Sequence, residues 1–228
     1  RWARGPAPGS SGARGLWWKP MTRYGFDFDS SRGTGCKTCG RGGKDYHDRG
    51  PDSLFRRIYD FEGGSWEKTS EGAWNKTAFN YHLAISCNHC DNAACVENCP
   101  TGAMQKDEET GLVNSDPEVC IGCGTCRNSC PYDAPRIDAE LSRARKCDGC
   151  LARVRNEEQP MCVGACPLRA LEFGPIDELR EKYGDTSQVA PLPEPTTAPN
   201  LVIGSCQAID SNTYNLDEGY IANPLEVE

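Results

Sequence analysis

Three cysteine runs, each closed by Cys-Pro, constrain this chain more tightly than anything else in its sequence. Cys87, Cys90, Cys95 and Cys99 follow C-x2-C-x4-C-x3-C before Pro100. Cys120, Cys123, Cys126 and Cys130 follow C-x2-C-x2-C-x3-C before Pro131. Cys147, Cys150, Cys162 and Cys166 follow C-x2-C-x11-C-x3-C before Pro167. Disulfides are a poor reading, because such dense C-x2-C pairs suit no normal bridge framework. Structural zinc also uses C-x2-C pairs, yet it does not call for a fourth cysteine before proline three times over. The middle run has the spacing of bacterial ferredoxins, in which three thiolates bind one cubane and the fourth binds the neighbouring cluster. Two intervening residues let a tight loop aim successive thiolates at one set of irons. The fourth cysteine, a helical turn further on, faces the other way. The expected cofactors are therefore 4Fe–4S clusters.

The first two runs lie close enough together to form one two-cluster unit with exchanged fourth ligands. Cys87, Cys90, Cys95 and Cys130 would take one cluster, and Cys99, Cys120, Cys123 and Cys126 the other. The third run then needs a partner, and the stretch SSRGTGCKTCGRGGKDYHD, Ser30 to Asp48, is the one that remains. Cys36 and Cys39 keep the C-x2-C spacing. Gly33 and Gly43 occupy the two offsets where the other runs carry cysteine, so this is a four-ligand motif lacking two ligands.

Composition agrees with a fold stapled by metal. Among 228 residues there are 15 cysteines, 24 glycines and 16 prolines, too little apolar material for a large conventional core. The net charge of −8 excludes a nucleic-acid surface as the main function. No apolar run reaches bilayer-spanning length, so direct membrane insertion is not expected. Residues 1–20 carry four basic residues without a secretory apolar stretch or an arginine pair, and read as a disordered extension ahead of Met21.

Between the opening motif and Cys87, FRRIYDFEGG and AFNYHLAIS alternate apolar and polar residues and predict two strands around a turn region. GAMQKD and GLVNSD predict a short hairpin. PIDELREKYG predicts a helix starting at Pro175 and stopping at Gly184. From Asp185 onward there are seven acids and no Lys or Arg, with a proline-rich entry, and this tail is expected to dock on a partner. His82 and His89 read as structural or hydrogen-bonding residues, and Cys206 as an inert thiol. Arg143, Arg145 and Lys146 either offset cluster charge or form a solvated face.

These residues resemble the iron–sulfur subunit family of anaerobic dimethyl sulfoxide reductase. The resemblance runs from Met21 to the end and is carried by YGFDFDSSRGTGCKTC, KDYHD, FRRIYDFEGGSW, ISCNHC, CPTGAM, CIGC, KCDGC, CPLRALEFGPIDELR and GYIANP. It implies an α+β fold of two ferredoxin-like bicluster units related by a pseudo-repeat, with a β insertion and an extended tail. The implied division is 21–50 with 140–183 as one unit, 51–86 as the insertion, 87–139 as the second unit and 184–228 as the tail. Mapped through ligand exchange, a first cluster keeps Cys36, Cys39 and Cys166, with Gly33 at its missing corner. A second keeps Cys147, Cys150 and Cys162, with Gly43 at its missing corner. Either could be a three-iron cluster or vacant. The implied partners are a molybdopterin catalytic subunit and a quinol-oxidising membrane anchor, which place the chain peripherally at the cytoplasmic membrane, with co-export to the periplasmic face as one route. The chain itself would then be a non-catalytic electron relay in anaerobic respiration. The competing readings are a relay for another molybdoenzyme, of the formate dehydrogenase or polysulfide reductase type, and a zinc-stapled interaction module.

Overall fold

A computed structural model describes residues 22–50, 53–210 and 214–227. The expected extension over residues 1–20 lies outside the described residues. Strands are short, helices rarely exceed two turns, and both mix along the chain in an α+β arrangement. The frame is two three-stranded sheets.

In the first sheet the strand Tyr24–Asp29 is central, antiparallel to Leu171–Pro175 and parallel to Leu201–Gly204. Being covered on both faces, it buries Asp27 along with Phe26 and Phe28. Helix Ile176–Tyr183 follows directly and packs Ile176 and Leu179 against Val202. Its ends agree with the sequence reading: Pro175 precedes it at φ −54°, and Gly184 at φ +90° supplies a backbone turn that a side chain would resist.

The second sheet pairs Arg57–Gly63 with Phe79–Ile85 in unbroken register from Arg57 opposite Ile85 to Gly63 opposite Phe79. These are the two strands that the apolar alternation predicts. Phe61, Phe79 and Tyr81 pack together at its centre. The intervening turn region holds a further hairpin, Trp66–Lys68 with Trp74–Lys76, which the sequence reading missed. Its strands are exposed on both faces, so no burial pattern announces it. The hairpin predicted from GAMQKD and GLVNSD forms as Met104–Lys106 with Val113–Ser115.

The acidic tail is folded onto its own chain. Leu201, Val202 and Ile203 are buried as an edge strand, and Tyr220–Ile221 adds to the second sheet beside Arg57–Gly63. Asn223 fastens this end by accepting from the Asp60 N–H and donating to the Ile58 carbonyl. Net charge says little about docking when apolar residues at strand spacing supply the burial.

Candidate metal centres

All four cysteine motifs share one local device. The residue before the second ligand position of each motif is left-handed: Gly35 at φ +66°, His89 at +46°, Gly122 at +70° and Gly149 at +71°. Left-handed turns of this kind point successive backbone N–H groups into one concavity, the anion-binding nest found at many iron–sulfur sites. Glycine meets this demand in three motifs. In the second, His89 is wholly buried, its Nδ1 accepting from Val113 N–H at 2.9 Å and its carbonyl accepting from Asn200 at 2.8 Å. Burial drives its pKa well below 6.5, so it is a neutral hydrogen-bonding residue. Backbone N–H groups also reach sulfur: Ala144 and Gly122 donate to Cys120, Met104 to Cys99, Gly149 to Cys147 and Ala170 to Cys166, all at 3.3–3.4 Å.

The fold gathers the cysteines into sets that cross the motifs. One small pocket is lined by Cys87, Cys90, Cys95 and Cys130. Another is lined by Cys99, Cys120, Cys123 and Cys126. A third is lined by Cys36, Cys39 and Cys166, with Gly33 at its wall. Cys162 lies close enough to Cys147 and Cys150 to add to the upward push that burial gives both thiols. Spacing separates cluster from single ion. Four sulfurs on one tetrahedral zinc would stand about 3.8 Å apart. Among the described residues, no three cysteine sulfurs lie within 4.8 Å of one another.

The two glycine corners differ. A Cβ placed on Gly33 would stand 2.5 Å from Phe28 Cζ, so an aromatic ring already fills that corner. A Cβ on Gly43 would meet nothing within 4 Å. One turn further along helix Thr38–Tyr46, past its last residue, His47 donates its N–H to the Gly43 carbonyl. Its Nε2 lies 3.6 Å from Cys150 Sγ and 3.5 Å from Asp148 Oδ1. Burial lowers the His47 pKa against the opposing pull of Asp148. Asp45, two residues from Gly43, is exposed and paired with Lys44.

Electrostatics fit a bound group that carries positive iron and anionic sulfur. Burial pushes Cys90 and Cys95 up to about 12 and Cys150 up to about 11, with neighbouring thiols adding to it. Such thiols ionise when a metal supplies compensating charge. At the rim the reverse holds: hydrogen bonds from Thr38 and Thr125 lower Cys36 and Cys123. Lys146 is buried at the wall of the Cys87–Cys130 cavity, donating to the Val113 and Cys147 carbonyls, so it belongs to the charge-offsetting reading. Arg145 instead pairs with Asp138 and bonds the His47 carbonyl. His82 is bound to Asp60 across the second sheet, and Cys206 lines none of the three cysteine pockets, sitting instead in a groove beside Gly33, Thr34 and His82.

Sequence reading missed two kinds of residue. Arg56 is 3% exposed among the thiols of Cys39, Cys147 and Cys162. Thr197 and Asn200, far along the tail, close over the Cys87–Cys90 loop. Thr197 Oγ1 donates to Cys90 Sγ at 3.2 Å, while Asn200 donates to the His89 carbonyl and Asp91 N–H donates to the Ala198 carbonyl. A short FRR or PTTAPN segment carries no signal for this, since the contact exists only after folding.

Loops with nests and crossed cysteine sets define a ferredoxin-type iron–sulfur protein, and residues 78–176 match the family described as 4Fe-4S dicluster domain. The sequence is 50% identical over 211 residues to the B subunit of anaerobic dimethyl sulfoxide reductase from Haemophilus influenzae, covering 91% of this protein and 100% of that one. It is 53% identical over 207 residues to YnfG of Escherichia coli, a probable anaerobic dimethyl sulfoxide reductase subunit, covering 90% and 99%. Protein NrfC of Escherichia coli is 33% identical over 157 residues, 68% of this protein and 67% of that one. The chain belongs to the family of iron–sulfur B subunits of anaerobic dimethyl sulfoxide reductases. It is an electron-transport iron–sulfur protein of that family.

Proposed function

We propose that this chain is a non-catalytic relay carrying electrons through four cluster sites in line, from a quinol-oxidising membrane anchor to a molybdopterin subunit that reduces dimethyl sulfoxide or related oxides. Named from the molybdopterin side toward the quinol side, the sites are Cys36, Cys39 and Cys166; Cys147, Cys150 and Cys162; Cys87, Cys90, Cys95 and Cys130; and Cys99, Cys120, Cys123 and Cys126. The supporting observation is how the sets adjoin. Cys39 lies within electrostatic reach of Cys162, and Cys147 within reach of both Cys162 and Cys87, which orders the first three sites. Short helices Ala94–Glu97 and Thr125–Asn128, packed together, tie the last two.

Each cluster, when bound, supplies a one-electron step; the protein supplies ligands, N–H donors and buried cations. No helix among the described residues is long and apolar enough to cross a membrane, which suits a peripheral subunit in a membrane complex. At the Gly43 corner, His47 is the side chain in place to stand in for the absent thiolate. Anaerobic purification with iron, sulfide and zinc assays tests the reading. Sulfide-containing protein with somewhat fewer than about 16 irons per chain is expected. Zinc without sulfide would overturn it.

A further inference from the structure

Arg56 is a cation sealed inside the protein with too few partners. Its Nη1 donates to the Ala84 carbonyl at 2.5 Å and its guanidinium lies 4.6 Å from the Phe26 ring centroid. Among the described residues its Nε and Nη2 make no hydrogen bond. A buried guanidinium left without an anion is strongly destabilising, so the fold must provide one. Asp and Glu do not: no salt bridge includes Arg56 among the described residues, although Arg49 and Arg57 near it in sequence both reach an aspartate. The groups around it able to carry negative charge are the sulfurs of Cys39, Cys147 and Cys162, with Cys162 acting on it most strongly.

Those three cysteines come from two different sites. Cys39 belongs with Cys36 and Cys166, while Cys147 and Cys162 belong with Cys150. Its neighbour Arg57 turns away, donating to the carbonyls of Val227, Tyr132 and Asp133. Arg56 lies in the bend that leads into the strand Arg57–Gly63, and there the two consecutive side chains part, one toward the cysteines and the other to backbone carbonyls.

We propose that Arg56 is a positioning residue shared by the first two cluster sites, whose fixed positive charge raises the reduction potential of both. This rests on the relay reading. The reduced form of each cluster carries one more negative charge than the oxidised form, so an adjacent buried cation favours the electron's presence. Charge placed between the sites acts on both at once, and it acts least on the distant Cys99–Cys126 site. Electrons arriving from the other end therefore meet two acceptors made favourable by the same side chain.

The test is anaerobic redox titration of the full chain, followed by electron paramagnetic resonance, in the unmodified protein and in Arg56→Lys, Arg56→Gln and Arg56→Met. The Gln and Met variants should lower the midpoint potentials of the two sites flanking residue 56, or leave those sites unfilled. The Lys variant should keep both sites filled at potentials nearer the unmodified ones. The Cys99–Cys126 site serves as internal reference and should not move. Equal effects of Lys, Gln and Met would show that shape rather than charge matters and would overturn the assignment. So would unchanged potentials in all three, or an equal shift at the reference site. Absence of sulfide-containing clusters in the unmodified chain would sink the relay reading itself, a result distinct from clusters that ignore Arg56.

Discussion

A single missing side chain has opposite consequences at Gly33 and Gly43, because the space around each differs. Phe28 occupies the corner beside Gly33, whereas nothing stands near Gly43. Gly43→Cys should therefore add about one iron per chain and remove any spectroscopic contribution of His47 nitrogen at that site. Gly33→Cys alone should add none until Phe28 is trimmed, as in Gly33→Cys with Phe28→Val. Iron assays on the three variants check this, and equal gains from both single changes would refute it. Another residue-scale effect lies at Asp27, whose carboxyl is pushed up to about 6 by burial, with Asp29 and Glu172 adding. Its unfolded value is about 3.9. A raised folded pKa stabilises below the unfolded value, and that contribution is lost as pH rises through about 6. At pH 7.5 the ionised carboxylate is thus a burial cost. Asp27→Asn should raise stability by about 1–2 kcal/mol there, with a smaller gain near pH 5.5. Anaerobic denaturant titrations of the cluster-loaded protein at both pH values measure it.

Among elements, the tail segment 197–204 works as a clamp rather than a leash. Its strand buries Val202 in the first sheet, and the residues just before it cover the Cys87–Cys90 loop through Thr197, Ala198 and Asn200. The hydrogen bond from Thr197 to the Cys90 sulfur favours the more negative, reduced cluster. Thr197→Val keeps the shape and deletes the hydroxyl, so it should lower the potential of that one site while leaving iron content unchanged. A redox titration that shows no shift, or an equal shift at the Cys99–Cys126 site, would count against the clamp's electrostatic role. Asn200 serves the loop's backbone instead, so its loss should loosen the loop.

For the whole molecule the consequence is serial dependence. If the four sites form one path, breaking the end nearest the quinol side must stop quinol-driven turnover without touching the catalytic partner. Cys120→Ser in the assembled complex should abolish quinol-driven oxide reduction while sparing activity from a small-molecule donor that feeds the catalytic subunit directly. Assays with the two donors distinguish this from failed assembly, in which both activities fall together.

The cysteine spacings determined the class of cofactor and much of the pairing logic by themselves, because ligand geometry on iron demands short fixed loops. Apolar alternation likewise foretold the strands Arg57–Gly63 and Phe79–Ile85, and Pro175 with Gly184 marked a helix's ends. Local periodicity and backbone stereochemistry suffice for such features. Tertiary structure alone decided where charge and long-range contacts fall. Nothing in FRRIYDF tells which arginine turns inward to Cys39, Cys147 and Cys162, nor does an acidic, proline-rich tail announce that Thr197 reaches Cys90, 107 residues away in sequence. Those outcomes depend on which surfaces close upon each other, and burial then compels each enclosed charge and sulfur to find a partner.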